Sequence, residues 1–255
     1  MHNDNLNLST NEHKELHKEL HKEFYLTCER YYIFELLTIA GGMMGLYTYN
    51  LRGEVFCNAQ TGNIVKMALA FGQGRFKEGM YFFVPFIAYI IGTIVSEILP
   101  EKVRMSHFIR WDTLLVGIEI AVLFAIGFIP LTWPDQIVQV AINFLCAMQF
   151  NTFRQAEGIP MATTFVTNHV RQIGINIAKQ IRHKDKDEAR RKISRHGNII
   201  LAFFTGGVIM TVASSLFQEK AIWLAVIPLS VCFWVMLQSD LVYERAMLDL
   251  KPHGH

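Results

Sequence analysis

Two polar interruptions inside long apolar stretches constrain this chain more than any other feature. Asn50-Leu51-Arg52 leads to Thr61-Gly62-Asn63, and Asn151-Thr152-Phe153-Arg154 leads to Thr167-Asn168-His169. Each lies between apolar runs, and each is followed by a short segment, Ile64–Phe71 or Val170–Ile181, ill-suited to span a bilayer alone. Non-helical backbone is tolerated at membrane depth only where protein or a water-lined cavity shields it, so two such breaks in one chain mark a site.

The surrounding stretches define the class. Six windows, Tyr31–Tyr49, Tyr81–Leu99, Thr113–Leu131, Gln136–Phe153, Asn198–Phe217 and Ala221–Leu237, are almost free of charge. Each holds roughly 17–21 residues, enough for a helix to cross a hydrocarbon core of about 30 Å. Soluble helices of such length carry a polar face, and these windows mostly lack one. Tyr31, Tyr32, Trp111, Trp133 and Trp223 fall near their ends, where amphipathic rings anchor at the interface. The four cysteines are scattered without metal-ligand spacing, and the polar first 30 residues show no pattern of a cleavable signal. The expectation is an all-α membrane protein: a polar cytoplasmic helix over 1–30, a transmembrane domain over 31–240 and a cytoplasmic tail over 241–255.

Charge sets the topology. Ile64–Phe71 contains Lys66, and Val170–Ile181 contains Arg171, Gln172, Asn176 and Lys179. Both suit half-helices that enter and return on one side. With six crossings, two re-entrant segments and an inside N-terminus, Arg52, Lys66, Arg75, Lys77 and Lys220 lie outside and the other Lys and Arg inside. A rival arrangement, in which both short segments cross, drags Lys66, Arg171 and Lys179 into the bilayer. In the favoured one each half runs span, broken segment, span, span, over about 31–131 and 136–237. Three crossings per half is odd, which relates the halves by inversion, as in many secondary transporters.

The breaks then predict chemistry. Thr61 and Thr167 are expected to cap the two half-helices, whose N-termini point to the bilayer centre. Unpaired N–H groups and a partial positive charge there, with Arg52 and Arg154 nearby, suit an anion or a carboxylate-bearing solute. The candidate substrate-binding residues are Arg52, Asn58, Gln60, Thr61, Gly62, Asn63, Gln149, Arg154, Thr167, Asn168 and His169. Their amides and hydroxyls serve equally to satisfy irregular backbone with no ligand at all. Glu119, in Leu115-Val116-Gly117-Ile118-Glu119, is an intramembrane acid expected either to couple an ion or to form a salt bridge to Arg52 or Arg154. Gln136, Gln139 and Asn143 share one helix face, while Gln149 and Asn151 belong with the second break. Gly41 with Gly45, and Gly206 with Gly207, predict close helix packing, within the chain or between copies in a homo-oligomer.

The His-Lys-Glu-Leu repeat at 13–20 reads as a solvated charged helix rather than a metal site. The basic run Arg182–Arg195 suits anionic lipid heads, and its acidic residues argue against nucleic acid. No phosphate loop, zinc motif or nucleophile elbow is present, so neither an enzyme nor a cofactor is expected, and no catalytic residue is assigned. A non-transporting scaffold or sensor is the other functional class the sequence allows.

Gly41–Tyr49 with Leu51-Arg52-Gly53, Val55 through Asn63, Cys146–Gln149, Thr152-Phe153-Arg154 and Ala162-Thr163-Thr164 together resemble the YoaK family of small bacterial membrane proteins, over most of 31–240. The resemblance implies an integral protein of the bacterial cell membrane and no established substrate. It also implies two departures in this chain: Gly45 where relatives often carry aspartate, and Thr167-Asn168-His169 where they repeat Thr-Gly-Asn. The combined expectation is a transporter or channel for a small polar or anionic solute.

Overall fold

The computed structural model describes residues 24–104, 108–183 and 185–253. It is almost wholly helical: α1 Tyr31–Leu51, α2 Gln60–Gly72, α3 Phe76–Arg104, α4 Trp111–Ile126, α5 Asp135–Thr152, α6 Thr167–Ile181, α7 Lys186–Phe217 and α8 Trp223–Gln238. A two-stranded hairpin, β1 Gln155–Ala156 and β2 Ile159–Pro160, precedes α6. The six charge-free windows coincide with helices for most of their length, except that residues 127–131 form turns, and the two short segments form α2 and α6. The His-Lys-Glu-Leu repeat lies outside the described residues. Of the helix expected over 1–30, the described part forms only a short 3-10 turn, Thr27–Glu29, because Leu26 and Arg30 on either side are extended.

Apolar residues sort by position in the bundle. In α1, Ile33, Phe34, Leu37, Met44 and Tyr47 are buried and the helix touches neighbours on most sides. Its small and hydroxylated residues make this possible: Thr38 and Thr48 return their hydroxyls to Phe34 and Met44 carbonyls. By contrast α3 exposes Ile90, Ile91, Ile94 and Ile98, and α7 exposes Leu201, Phe204, Val212 and Leu216. A contiguous apolar exterior around a core that contains polar groups is the inside-out pattern that a lipid solvent rewards.

Helix pairing has an internal regularity. Helix α1 packs along α7 and α5 along α3; α2 packs on α3 and α6 on α7; α4 meets α8. Exchanging α1–α4 with α5–α8 maps this set onto itself. Both long crossings depend on missing side chains. A Cβ on Gly206 would strike the Ile39 carbonyl and one on Gly42 the Phe203 carbonyl, while one on Gly92 would lie 2.5 Å from the Phe144 carbonyl. Gly206 and Gly207 therefore serve close packing, as the sequence predicts. Gly41 and Gly45 do something else, described below.

Two ends of the bundle are distinguishable. Tyr31, Arg110, Trp111, Thr152 and Arg195 gather at one, where Trp111 Nε1 donates to Thr152 Oγ1 at 2.9 Å and Tyr31 Oη donates to the Arg195 carbonyl at 2.8 Å. Arg52, Pro130, Asp135 and Glu219 gather at the other. The tail folds back across the Tyr31 end: Arg110 pairs with Glu244 and lies 3.7 Å from Asp240, and His253 reaches Glu29 at 2.8 Å.

Candidate functional site

Both breaks begin where a helix ends and the chain turns through a Gly–Glu pair with positive φ. In the first, Gly53 and Glu54 have φ 69° and 54°; in the second, Glu157 and Gly158 have φ 47° and 76°. Two consecutive positive φ values make the tight hairpin turn that joins β1 to β2. Glu157 is fixed there by Arg195 at 2.9 Å and by the Tyr31 amide at 3.3 Å.

From these turns both segments run to the middle of α1. Asn58 Nδ2 donates to the Gly41 carbonyl at 3.3 Å. From the other side a Cβ on Gly41 would sit 2.6 Å from the Thr163 carbonyl oxygen, and one on Gly45 would sit 2.7 Å from Asn58 Nδ2. Gly41 and Gly45 thus admit the two breaks rather than a neighbouring helix. The opposite wall is α5. Gln60 Nε2 donates to Asn143 Oδ1 at 2.8 Å, Cys57 Sγ lies 3.4 Å from Cys146 Sγ, and Gln149 Nε2 donates to Thr163 Oγ1 at 3.0 Å and to the Leu37 carbonyl at 3.2 Å. Gln139, Asn143, Cys146 and Gln149 form one fully buried stripe. Gln149 belongs to this stripe and Gln136, half-buried, does not, because the polar face drifts around α5 as successive three-residue steps fall short of a full turn.

Each of the short helices α2 and α6 is tied to its own loop by the third residue of its polar triplet. Asn63 Oδ1 accepts from the Phe56 amide at 2.9 Å while Nδ2 donates to the Phe56 carbonyl at 2.7 Å. Seven residues separate the partners. In the second half His169 Nε2 faces the Ala162 amide at 3.3 Å and the Ala162 carbonyl at 2.9 Å, again seven residues apart. An amide satisfies both groups at once; one ring nitrogen serves one of them. The other nitrogen, Nδ1, lies 2.9 Å from Nδ1 of buried His196 on α7. Exactly one proton between those nitrogens makes that contact a hydrogen bond, so the tautomers of the two rings are interlocked.

Other expected site residues lie elsewhere. Thr61 and Thr167 are exposed residues of the first helical turns and cap nothing: the N-cap positions are Ala59 and Val166, and neither has a side-chain cap. Asn168 binds Arg171 at 2.8 Å on the outer face. Gly62 makes room for the Phe56 ring, 2.7 Å from where its Cβ would be.

The two arginines do not meet. Buried Arg52 closes the Arg52 end, donating to the carbonyls of Ile129 at 2.6 Å and Pro130 at 3.2 Å and to Tyr47 Oη at 3.3 Å. Arg154 sits at the opposite end against Glu97 at 2.7 Å. They stand at the C-terminal ends of α1 and α5, and those helices run in opposite directions. A pair of arginines flanking one central anion is therefore not formed. Nor is a salt bridge to Glu119: it is fully buried and neither carboxyl oxygen has a hydrogen-bond partner.

Sequence reasoning missed Gly41, Thr163, His196 and the Cys57–Cys146 contact as members of this arrangement, whereas it did put Asn143 with Gln139 on one face of α5. The helical spacing of Gln139 and Asn143 was a usable signal for α5. Nothing local foretells that His196 meets His169, since the contact depends on how α7 packs on α6. Outside the membrane-depth region, burial pushes the Cys28 thiol well above its ordinary range, leaving it unreactive. Among the described residues no group of three or more His, Cys, Asp or Glu is placed to hold a metal.

Apolar helices around a polar, irregular centre define a helical transmembrane protein. The family model for a protein of unknown function, DUF1275, matches residues 33–235, and the chain belongs to that family. It is similar to the UPF0700 transmembrane protein YoaK of Bacillus subtilis (strain 168), 22% identical over 214 residues that cover 82% of this chain and 93% of that protein. No solved structure matches the chain.

Proposed function

We propose that this protein is a transporter or channel for a small polar solute, with its site where the two breaks meet beside Gly41. The observation that carries the reading is this convergence: two irregular segments, from opposite ends of the bundle, reach the middle of one buried helix. Helices α2 and α6 then act as half-helices among six crossings. Lys66 supports this by reaching back to the Glu54 carbonyl at 2.5 Å rather than pointing across the membrane. The self-mapping helix pairing and the paired loop clasps support two inverted repeats.

The site's polarity is mixed. The uncapped first turns of α2 and α6 offer N–H groups to an oxyanion or carboxylate. Gln149 Oε1 and Thr164 Oγ1, both buried and without partners, are free to accept from a donor-rich solute. With both arginines engaged elsewhere, selectivity rests on these groups. The same hydrogen bonds that close the breaks also suit a scaffold or sensor, because Asn58, Gln60, Asn63 and Gln149 all satisfy protein groups.

Cysteine substitution separates the two readings. On a background lacking the native cysteines, Asn58→Cys and Thr164→Cys should react with a membrane-impermeant maleimide, each from a different side. Complete protection of both positions from both sides sinks the transport reading and leaves the structural one.

A further inference from the structure

Among the described residues Glu119 stands apart from the buried acids that have partners. Asp240 and Glu244 are buried too, but Arg110 lies between them, and Glu29 holds the Leu26 amide at 2.9 Å. Glu119, midway along α4, has 0% exposure and two oxygens without partners. Of the helices packed on α4, α5 carries buried Cys146 and α8 buried Cys232, and among the described residues no cation is hydrogen-bonded to Glu119. The Phe233 ring closes on Gly117, two residues before Glu119 on the same helix.

We propose that Glu119 is the proton-binding group through which this protein couples proton movement to opening of the first break, an inference that rests on the transport reading. A carboxylate in such surroundings is prohibitively costly, whereas the neutral acid is tolerated. The ion is a proton rather than a metal cation. Hard cations demand several oxygen ligands, and the surroundings offer thiols and hydrocarbon; a proton needs only one carboxyl oxygen. The step is Glu119–COO⁻ + H⁺ ⇌ Glu119–COOH, with water that reaches the break as proton source and sink.

The connection to the break is short. Helix α4 packs on α5, whose Cys146 Sγ touches Cys57 Sγ, next to Asn58, the residue that ties the first break to Gly41. Loss of the proton places an uncompensated charge behind this contact, and the least costly relief is to let water in along the break.

The test uses the full chain in lipid nanodiscs. Native Cys57, beside Asn58, is labelled with a maleimide across a pH series and read by peptide mass spectrometry, with Glu119 intact and with Glu119→Gln, a neutral isostere of the protonated acid. Taking the ratio of the two rates cancels the pH dependence of the thiol itself. The ratio should rise several-fold as pH increases, because only the chain with Glu119 gains a charge. A ratio constant with pH overturns the proton assignment while leaving the transport reading intact. Protection of Cys57 at every pH overturns both. A sodium-dependent shift in melting temperature that Glu119→Gln abolishes also overturns the assignment, in favour of a metal cation. Unchanged melting of Glu119→Gln in proton-rich buffer confirms that the comparison is between folded proteins.

Discussion

The two breaks share a frame, an Asn-to-Arg start and a triplet that opens on threonine, and differ in what holds them. The first is closed by a buried guanidinium and an amide: Arg52 gathers the Ile129 and Pro130 carbonyls, and Asn63 clasps Phe56 with two hydrogen bonds. The second is closed at its surface by Arg154 with half-exposed Glu97, and inside by an imidazole that satisfies one group of Ala162 at a time. One break is fastened by hydrogen bonds that no change of protonation rearranges, although Arg52 Nε has no partner. The other contains a pair of rings whose proton arrangement can change. Similar residue types therefore do not make the two breaks equivalent: burial decides how much each polar contact is worth.

Substitutions that act on one break and spare the other can break this comparison. The largest effect is expected for Arg52→Ala, which leaves buried carbonyls and Tyr47 without their donor. A loss of about 3 kcal/mol or more, seen as a marked fall in melting temperature in detergent, is the expected outcome. Arg154→Ala should cost under about 1 kcal/mol, because its partner is solvated. Equal losses from the two would show that the ends are fastened alike.

Gly41→Val comes next. Its added carbons meet the Thr163 backbone, which has little room to yield, and overpacking of about 1–3 kcal/mol is expected. Gly45→Ala meets only the rotatable Asn58 amide and should be milder. A reversed order in melting temperatures would place the second break elsewhere than against Gly41. Asn63→Ala should follow at about 1–2 kcal/mol, because it frees both backbone groups of Phe56. His169→Asn is the smallest: it rebuilds the first-half clasp in the second half, and the gain at Ala162 offsets the partner lost by His196. Melting within about 0.5 kcal/mol of the parent is expected, whereas His169→Ala should fall below it by about 1 kcal/mol.

Much of this was legible in the residues. Charge-free windows located the six long apolar helices because exclusion of charge from hydrocarbon acts on composition alone. Gly53, Gly158 and Pro160 announced irregular backbone, since left-handed turns and a missing N–H are local properties. The triplets Thr61-Gly62-Asn63 and Thr167-Asn168-His169 were found, but the roles within them were misjudged. Thr61 and Thr167 look like caps by type, yet helix starts depend on where the loop arrives, and each helix begins so that its threonine faces outward. The third residue of each triplet, not the first, fastens the loop.

By itself the sequence determined the class: a helical membrane protein with two protected polar breaks, because lipid imposes the same rule on every stretch of chain. Only the tertiary structure decided what those breaks touch. It parted Arg52 from Arg154, brought His196 to His169, turned Gly41 and Gly45 into receiving surfaces and left Glu119 without a partner. These outcomes depend on contacts between residues far apart in the chain, and no local pattern encodes which of several compatible polar groups will be the neighbour.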